Sequence, residues 1–154
     1  MPLHERDISF FVEGMMDQLK KLTGNELVLR DASIEFQSLV FSSYTGLLHV
    51  RGEAEGFVYF TASQPFLQML PQVKPREGKS SEQYCEDAMI EMMQMLAGRA
   101  SGHFGERLHL SEPRIFSTVP DEPIEMPSAV FVQPLVWRNE NAYHVVGLSS
   151  PEFN

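Results

Sequence analysis

The polar side chains best placed to meet another molecule gather around one stretch, IEMMQMLAGRASGHFG, residues 90–105. Asp87, Glu91, Gln94, Gly98 and Ser101 recur at i, i+4, i+7, i+11 and i+14. At about 100° per residue that spacing puts them on one narrow stripe of a helix. Met89, Met92, Met93, Leu96 and Ala100 fall on the opposite side as its core face, where methionine needs no role beyond filling space. Glu91 and Gln94 give the stripe a carboxylate and an amide, one an acceptor and the other both donor and acceptor. Glycine within a helix costs about 1 kcal/mol relative to alanine. Gly98 therefore implies either a close helix contact or open room for a partner to approach the stripe. The blander reading of the same residues is the solvated face of an amphipathic helix.

Other chemistries find little support. The single cysteine, Cys85, excludes an internal disulfide and a thiolate cluster, and a buried, inert thiol is expected there. The five histidines show neither HExxH nor HxH spacing, so no metal site is expected. His103 and His109 flank the expected helix end, where histidine caps carbonyls or offsets the dipole. There is no phosphate-binding glycine loop, and Ser42-Ser43 and Ser80-Ser81 lie outside any nucleophile-elbow context. A net charge of −9 argues against nucleic acid, since the longest basic run is Lys20-Lys21 at a helix end. An acidic surface suits a protein partner with some positive charge.

The elements that must position the stripe read as follows. The 154 residues suit one domain, 1–154, with a core of useful size. Apolar residues Ile8, Phe11, Val12, Met15, Leu19 and Leu22 predict a helix over 5–23, stopped by Gly24. Residues 26–62 are strand-like, with GEAEG (52–56) as a hairpin turn. PFLQMLPQV opens a short helix at Pro65 that Pro71 should end, and PREGKSS (75–81) is a flexible connection. The long helix is predicted over 82–104. LHLSEPRIFSTV, the loop PDEPIEMPS and two apolar strands near 128–137 and 142–149 follow it. Pro134 marks an edge or a bulge rather than a central strand. Trp137 is expected in the core or at a subunit contact. A helix followed by about three strands occurs twice, and SFFVEGMM (9–16) echoes DAMIEMMQ (87–94). The fold class this implies is α/β in the α+β sense, with helices packed on a largely antiparallel sheet. No apolar run approaches the roughly 20 residues of a membrane span. The N-terminal MPLHERDISFF lacks the pattern of a secretory signal, so the cytoplasm is the expected compartment.

Asp87-x3-Glu91-x2-Gln94, followed by Met95-Leu96-Ala97-Gly98 and later by Pro113, resembles the signature of the CheC/CheX/FliY chemotaxis phosphatases, and the CheX branch most closely. The resemblance runs over residues 7–149, with the elements in family order. It implies hydrolysis of the aspartyl phosphate on a CheY-like response regulator. In that family the glutamate engages the regulator, notably its active-site lysine, and an asparagine orients the attacking water. The resemblance thus casts Glu91 and Gln94 as catalytic, and Asp87, Gly98 and Pro113 as partner-binding. Mg²⁺ would be supplied by the regulator, and a homodimer joined through the sheets is implied, with the apolar strands at 128–137 and 142–149 as the expected place of contact. Gln94 stands where the family has asparagine, an amide on an arm one methylene longer. Pro113 follows after only eighteen intervening residues, which implies a shortened loop. In the first helix Ser9 and Glu13 keep the pattern, but Met16 offers no amide for a second site. Two functional readings stay open: a CheX-like phosphatase, and a weak or inactive binding module that docks on a receiver domain or another chemotaxis protein.

Overall fold

A computed structural model of the chain describes residues 5–24, 26–35, 39–70, 80–117 and 130–149. Helix α1, Glu5–Leu22, buries Phe11, Met15 and Leu19 on one face and carries Lys20 and Lys21 in its last turn. It stops where Thr23 turns back on the carbonyl of Leu19 and Gly24 adopts φ +63°. Two short strands follow, β1 (Val28–Leu29) and β2 (Ser33–Glu35), and then the hairpin of β3 (Tyr44–Gly52) and β4 (Glu55–Ala62). The GEAEG turn lies where its glycines predict it. Helix α2, Gln64–Gln68, is capped by Ser63 with Pro65 in its first turn, and it ends before Pro71, which lies outside the described residues. Most of PREGKSS, and all of PDEPIEMPS, lies outside them too.

Helix α3, Ser81–Phe104, starts from a reciprocal cap. Ser80 Oγ accepts from the Gln83 amide N–H, and the Gln83 side chain accepts from that of Ser80. Gly105, at φ +57°, ends it. Strands β5 (Leu108–Leu110), β6 (Arg114–Phe116), β7 (Val130–Trp137) and β8 (Glu140–Ser149) complete the fold.

Every strand pairing is antiparallel. The order is β1-β7-β8-β4-β3-β5, with β2 also on β7 and β6 also on β3. Exchange β1/β2 with β5/β6, β3 with β7 and β4 with β8, and the same order returns reversed. The twofold echo of the sequence is therefore a property of the sheet, centred between β4 and β8. Helix α2 has no counterpart among the described residues of the second half.

Both faces of the sheet are covered. Helices α1, α2 and α3 cover Leu48, Val50, Val58, Phe60, Trp137 and Val146 on one face. On the other, Leu47, Phe57, Tyr59, Val132 and Val145 meet Leu39, Val40 and Phe41, and Phe41 stacks on Tyr59 with ring centroids 5.0 Å apart. Trp137 lies in the core edge-on to Phe66 rather than at an open surface.

Pro134 marks an irregularity of the kind expected, although β7 is not an edge strand: β7 runs unbroken against β8, while on its other side the pairing passes from β1 to β2 with one extra residue on the partner side. The Pro134 carbonyl faces β1 and β2, accepting from the Arg30 amide at 3.0 Å and from Gln133 Nε2 at 3.0 Å. A strand residue's nitrogen faces the same side as its carbonyl. The missing N–H of Pro134 thus falls in the break between β1 and β2, where no ladder bond is lost. Among the described residues no helix is long and apolar enough to cross a membrane.

Candidate functional site

Helix α3 positions the stripe by pressing its methionine face onto β3. Met89, Met92, Met93, Leu96 and Ala100 are fully buried, as the periodicity predicts. The contact is closest at Gly46, where an added Cβ would come within 2.6 Å of Met93 Cγ and 2.7 Å of Met89 Cγ. Only a glycine lets the helix sit this deep on the strand. The sequence reading passed over Gly46, although a glycine inside an apolar strand is itself a signal of close approach.

The opposite side of α3 faces outward. Asp87 and Glu91 are partly exposed, and Gln94, Gly98 and Ser101 are exposed. The stripe is therefore open to solvent, as both the docking reading and the solvated-face reading require. Gly98 has nothing within 4 Å of where a Cβ would stand, and neither does Gly102 one turn on. Of the two uses left open for Gly98, a close helix contact is absent among the described residues, and open room remains.

Four of the five family-implied residues, Asp87, Glu91, Gln94 and Gly98, therefore share one helix face. Pro113 is elsewhere, in the break between β5 and β6, the two edge strands that pair with β3. On α1, Ser9 and Glu13 are exposed, but Met16 is buried in the core. The likeness between the two helix sequences does not extend to side-chain placement, since Gln94 points outward and Met16 inward.

Two residues beside the stripe carried no role in the sequence reading. Met95, four residues after Glu91, is 49% exposed, unlike the other methionines of the α3 face. Gln18 of α1 is buried, and its Nε2 donates to Met95 Sδ at 3.3 Å. Phe11, Met15, Gln18 and Leu22 follow an apolar heptad-like spacing, so a polar residue at position 18 was a readable anomaly. Arg99 fastens the two helices nearby, donating from Nη1 to the Gly14 carbonyl at 3.2 Å, with Nη2 3.8 Å from Asp17.

Cys85 is buried against α2, its Sγ 3.8 Å from the Gln64 carbonyl oxygen, and burial pushes the thiol pKa up. It is the inert thiol expected. His103 is an exposed ring stacked on Phe10, with centroids 4.0 Å apart.

No protein-family model matches the sequence, and no curated protein matches it. Solved structures do match in three dimensions. A chemotactic CheC-like protein from Shewanella oneidensis superposes with a TM-score of 0.75 at 19% identity, over 92% of this chain and 97% of that one. The chain has the CheC-like fold. Chemotaxis protein CheX from Vibrio vulnificus shares this fold with a TM-score of 0.72 at 17% identity, covering 94% and 99% of the two chains. So does CheX from Borrelia burgdorferi, in a complex with CheY, BeF₃ and Mg²⁺, at 0.72 and 10% identity, covering 93% and 97%. The helix-on-antiparallel-sheet architecture read from the sequence is the one these structures share, and the outward face of α3 is a surface of that CheC-like fold.

Proposed function

We propose that this chain is a CheX-like phosphatase acting on the aspartyl phosphate of a CheY-like response regulator. The observation that carries the reading is the outward amide–carboxylate pair, Gln94 and Glu91, on a helix seated deep on its sheet. Glu91 docks on a cation of the regulator, and the acidic balance of the chain favours that approach. Gln94 reaches into the regulator's site and holds a water by its amide. The water oxygen attacks phosphorus while the bond from phosphorus to the aspartyl oxygen breaks, releasing inorganic phosphate and a free carboxylate. A loose phosphoryl-transfer transition state asks mainly for positioning, so an amide can act without a strong base. The Mg²⁺ such a reaction uses is expected to come with the regulator. A regulator as partner places the chain in the cytoplasm.

The test is phosphate release from candidate receiver proteins of the same organism, each phosphorylated with a small phosphodonor. Wild type should speed the loss of phosphate, Gln94→Ala should abolish the acceleration, and Glu91→Ala should weaken docking. Gln94→Asn should retain or raise the rate. Gln94 in place of the family asparagine is the one observation favouring a non-catalytic docking module. Binding without acceleration would establish that second reading.

A homodimer belongs to the same proposal, but the strands expected to make it, 128–137 and 142–149, are β7 and β8, each paired on both sides, so the contact moves to the edge beyond them. The edge formed by β1 and β2 exposes Val28 (51%), Leu29 (41%) and Ile34 (59%). Its pseudo-twofold counterpart on β5 and β6 presents His109, Glu112 and Arg114 instead. An apolar open edge requires a cover, and a second copy of the same edge provides one.

A further inference from the structure

The contact between α1 and α3 holds a buried amide that the fold leaves almost unused. Gln18 is 4% exposed, Nε2 reaches only the thioether of Met95, and Oε1 is buried with no hydrogen-bond partner among the described residues. A thioether is a weak acceptor, and a buried amide oxygen without a donor leaves its lost hydration unrecovered. Leucine or methionine would fill the same apolar spacing of α1 without that cost. The side chain that contacts Gln18, Met95, is half exposed and flexible, with three rotatable bonds. Room to swing lies beside it, because Met95, Gly98 and Gly102 follow at i, i+3 and i+7, and both glycines face open space. Glu91 stands one turn before Met95 on the same strip, so Gln18 borders the docking face itself.

We propose that Gln18 is a docking residue held by Met95: the arriving receiver domain displaces the thioether and donates an N–H hydrogen bond to Gln18 Oε1. The proposal rests on the stripe being a receiver-docking face.

It is tested by titration calorimetry with a receiver protein that the wild type binds, activated by beryllofluoride and Mg²⁺, with urea midpoints measured in parallel. Gln18→Leu should bind about tenfold more weakly, the effect of one lost hydrogen bond in a desolvated contact. Its urea midpoint should equal or exceed that of wild type, because the amide serves no partner within the fold. Met95→Ala, which releases the amide, should bind as tightly as wild type or a few-fold tighter. Unchanged binding by Gln18→Leu overturns the proposal while leaving the docking face intact. A fall in its urea midpoint overturns it too, by making the amide a structural member, and so does a tenfold loss confined to Met95→Ala. A wild type that binds and accelerates no receiver removes the docking reading itself, and this proposal with it.

Discussion

Gln94 carries its amide about 1.5 Å farther from α3 than an asparagine would, roughly one carbon–carbon bond. A misplacement near 1 Å can slow a positioned reaction by about 100-fold, so the space around the stripe governs whether that amide arrives in line. Gly98 bears on this space. Nothing inside the protein comes within 4 Å of its absent Cβ, so Gly98→Ala fits without strain. It should stabilise the chain by about 1 kcal/mol through helix propensity alone. If a partner approaches over Gly98, the added methyl lies in its path and dephosphorylation should slow. Urea unfolding and phosphate-release kinetics on one variant read both effects. Greater stability at an unchanged rate would mean the partner approaches from elsewhere. The sequence made the stripe legible through spacing, and Gly98 through its helical cost. Gln18 was legible as a polar residue on an apolar spacing, but its contact with Met95 stayed hidden because it joins residues 77 positions apart across two helices.

Helix α3 can present the stripe reproducibly only if it cannot slide on β3. Gly46 sets that seat, and an added methyl there would meet the Cγ atoms of Met89 and Met93 rather than their flexible ends. Gly46→Ala is expected to destabilise the fold by about 1–3 kcal/mol, the usual range for overpacking a filled core. It should also slow catalysis beyond what the stability loss explains, because a lifted α3 moves Gln94. A fall in urea midpoint without a kinetic change, in conditions where the variant is fully folded, would show that the stripe tolerates the shift. Element boundaries were readable where local chemistry sets them, as at Gly24 after α1, whereas the Ser80–Gln83 cap begins inside the stretch read as a flexible connection. The β7–β8 turn was readable in place, between the two apolar strands, but not in type. It passes through Arg138 and Asn139 at φ 50° and 66° without the glycine that marks such hairpins. Glu26, 112 positions away from Arg138, holds it by accepting from Trp137 Nε1 at 3.2 Å and from Arg138 Nε at 3.1 Å.

At the scale of the whole molecule, the reversed strand order makes two halves of one plan, yet their uses diverge. One helix buries the residue that the other exposes, and one sheet edge is apolar where the other is charged. The sequence echo was visible, but the divergence depends on which face each helix turns inward, and short sequence windows do not fix that. The sheet centre also carries a pH dependence. His144, fully buried on β8, has its pKa lowered from about 6.5 to about 4 by burial, which outweighs the opposing pull of backbone at Phe11 and Tyr59. Between those values the unfolded chain binds the proton and the folded chain does not, so stability rises with pH. Acidification from about 6.5 to about 4 should therefore remove up to ~3 kcal/mol. Urea midpoints across that window should fall less steeply for His144→Leu than for wild type, and parallel curves would count against the assignment. Assembly is tested at the apolar edge. Val28, Leu29 and Ile34 flank backbone groups on strands that pair only with β7 among the described residues, and lysine is the residue that blunts such an edge. Light scattering should find the wild type dimeric and Leu29→Lys/Ile34→Lys monomeric, with little change in monomer fold because both positions are exposed. A variant that stays dimeric would move the interface off this edge. Since the stripe lies on a helix face and the edge at the sheet's rim, the monomeric variant should keep its activity toward the regulator. Loss of that activity would mean that the second copy completes the docking face.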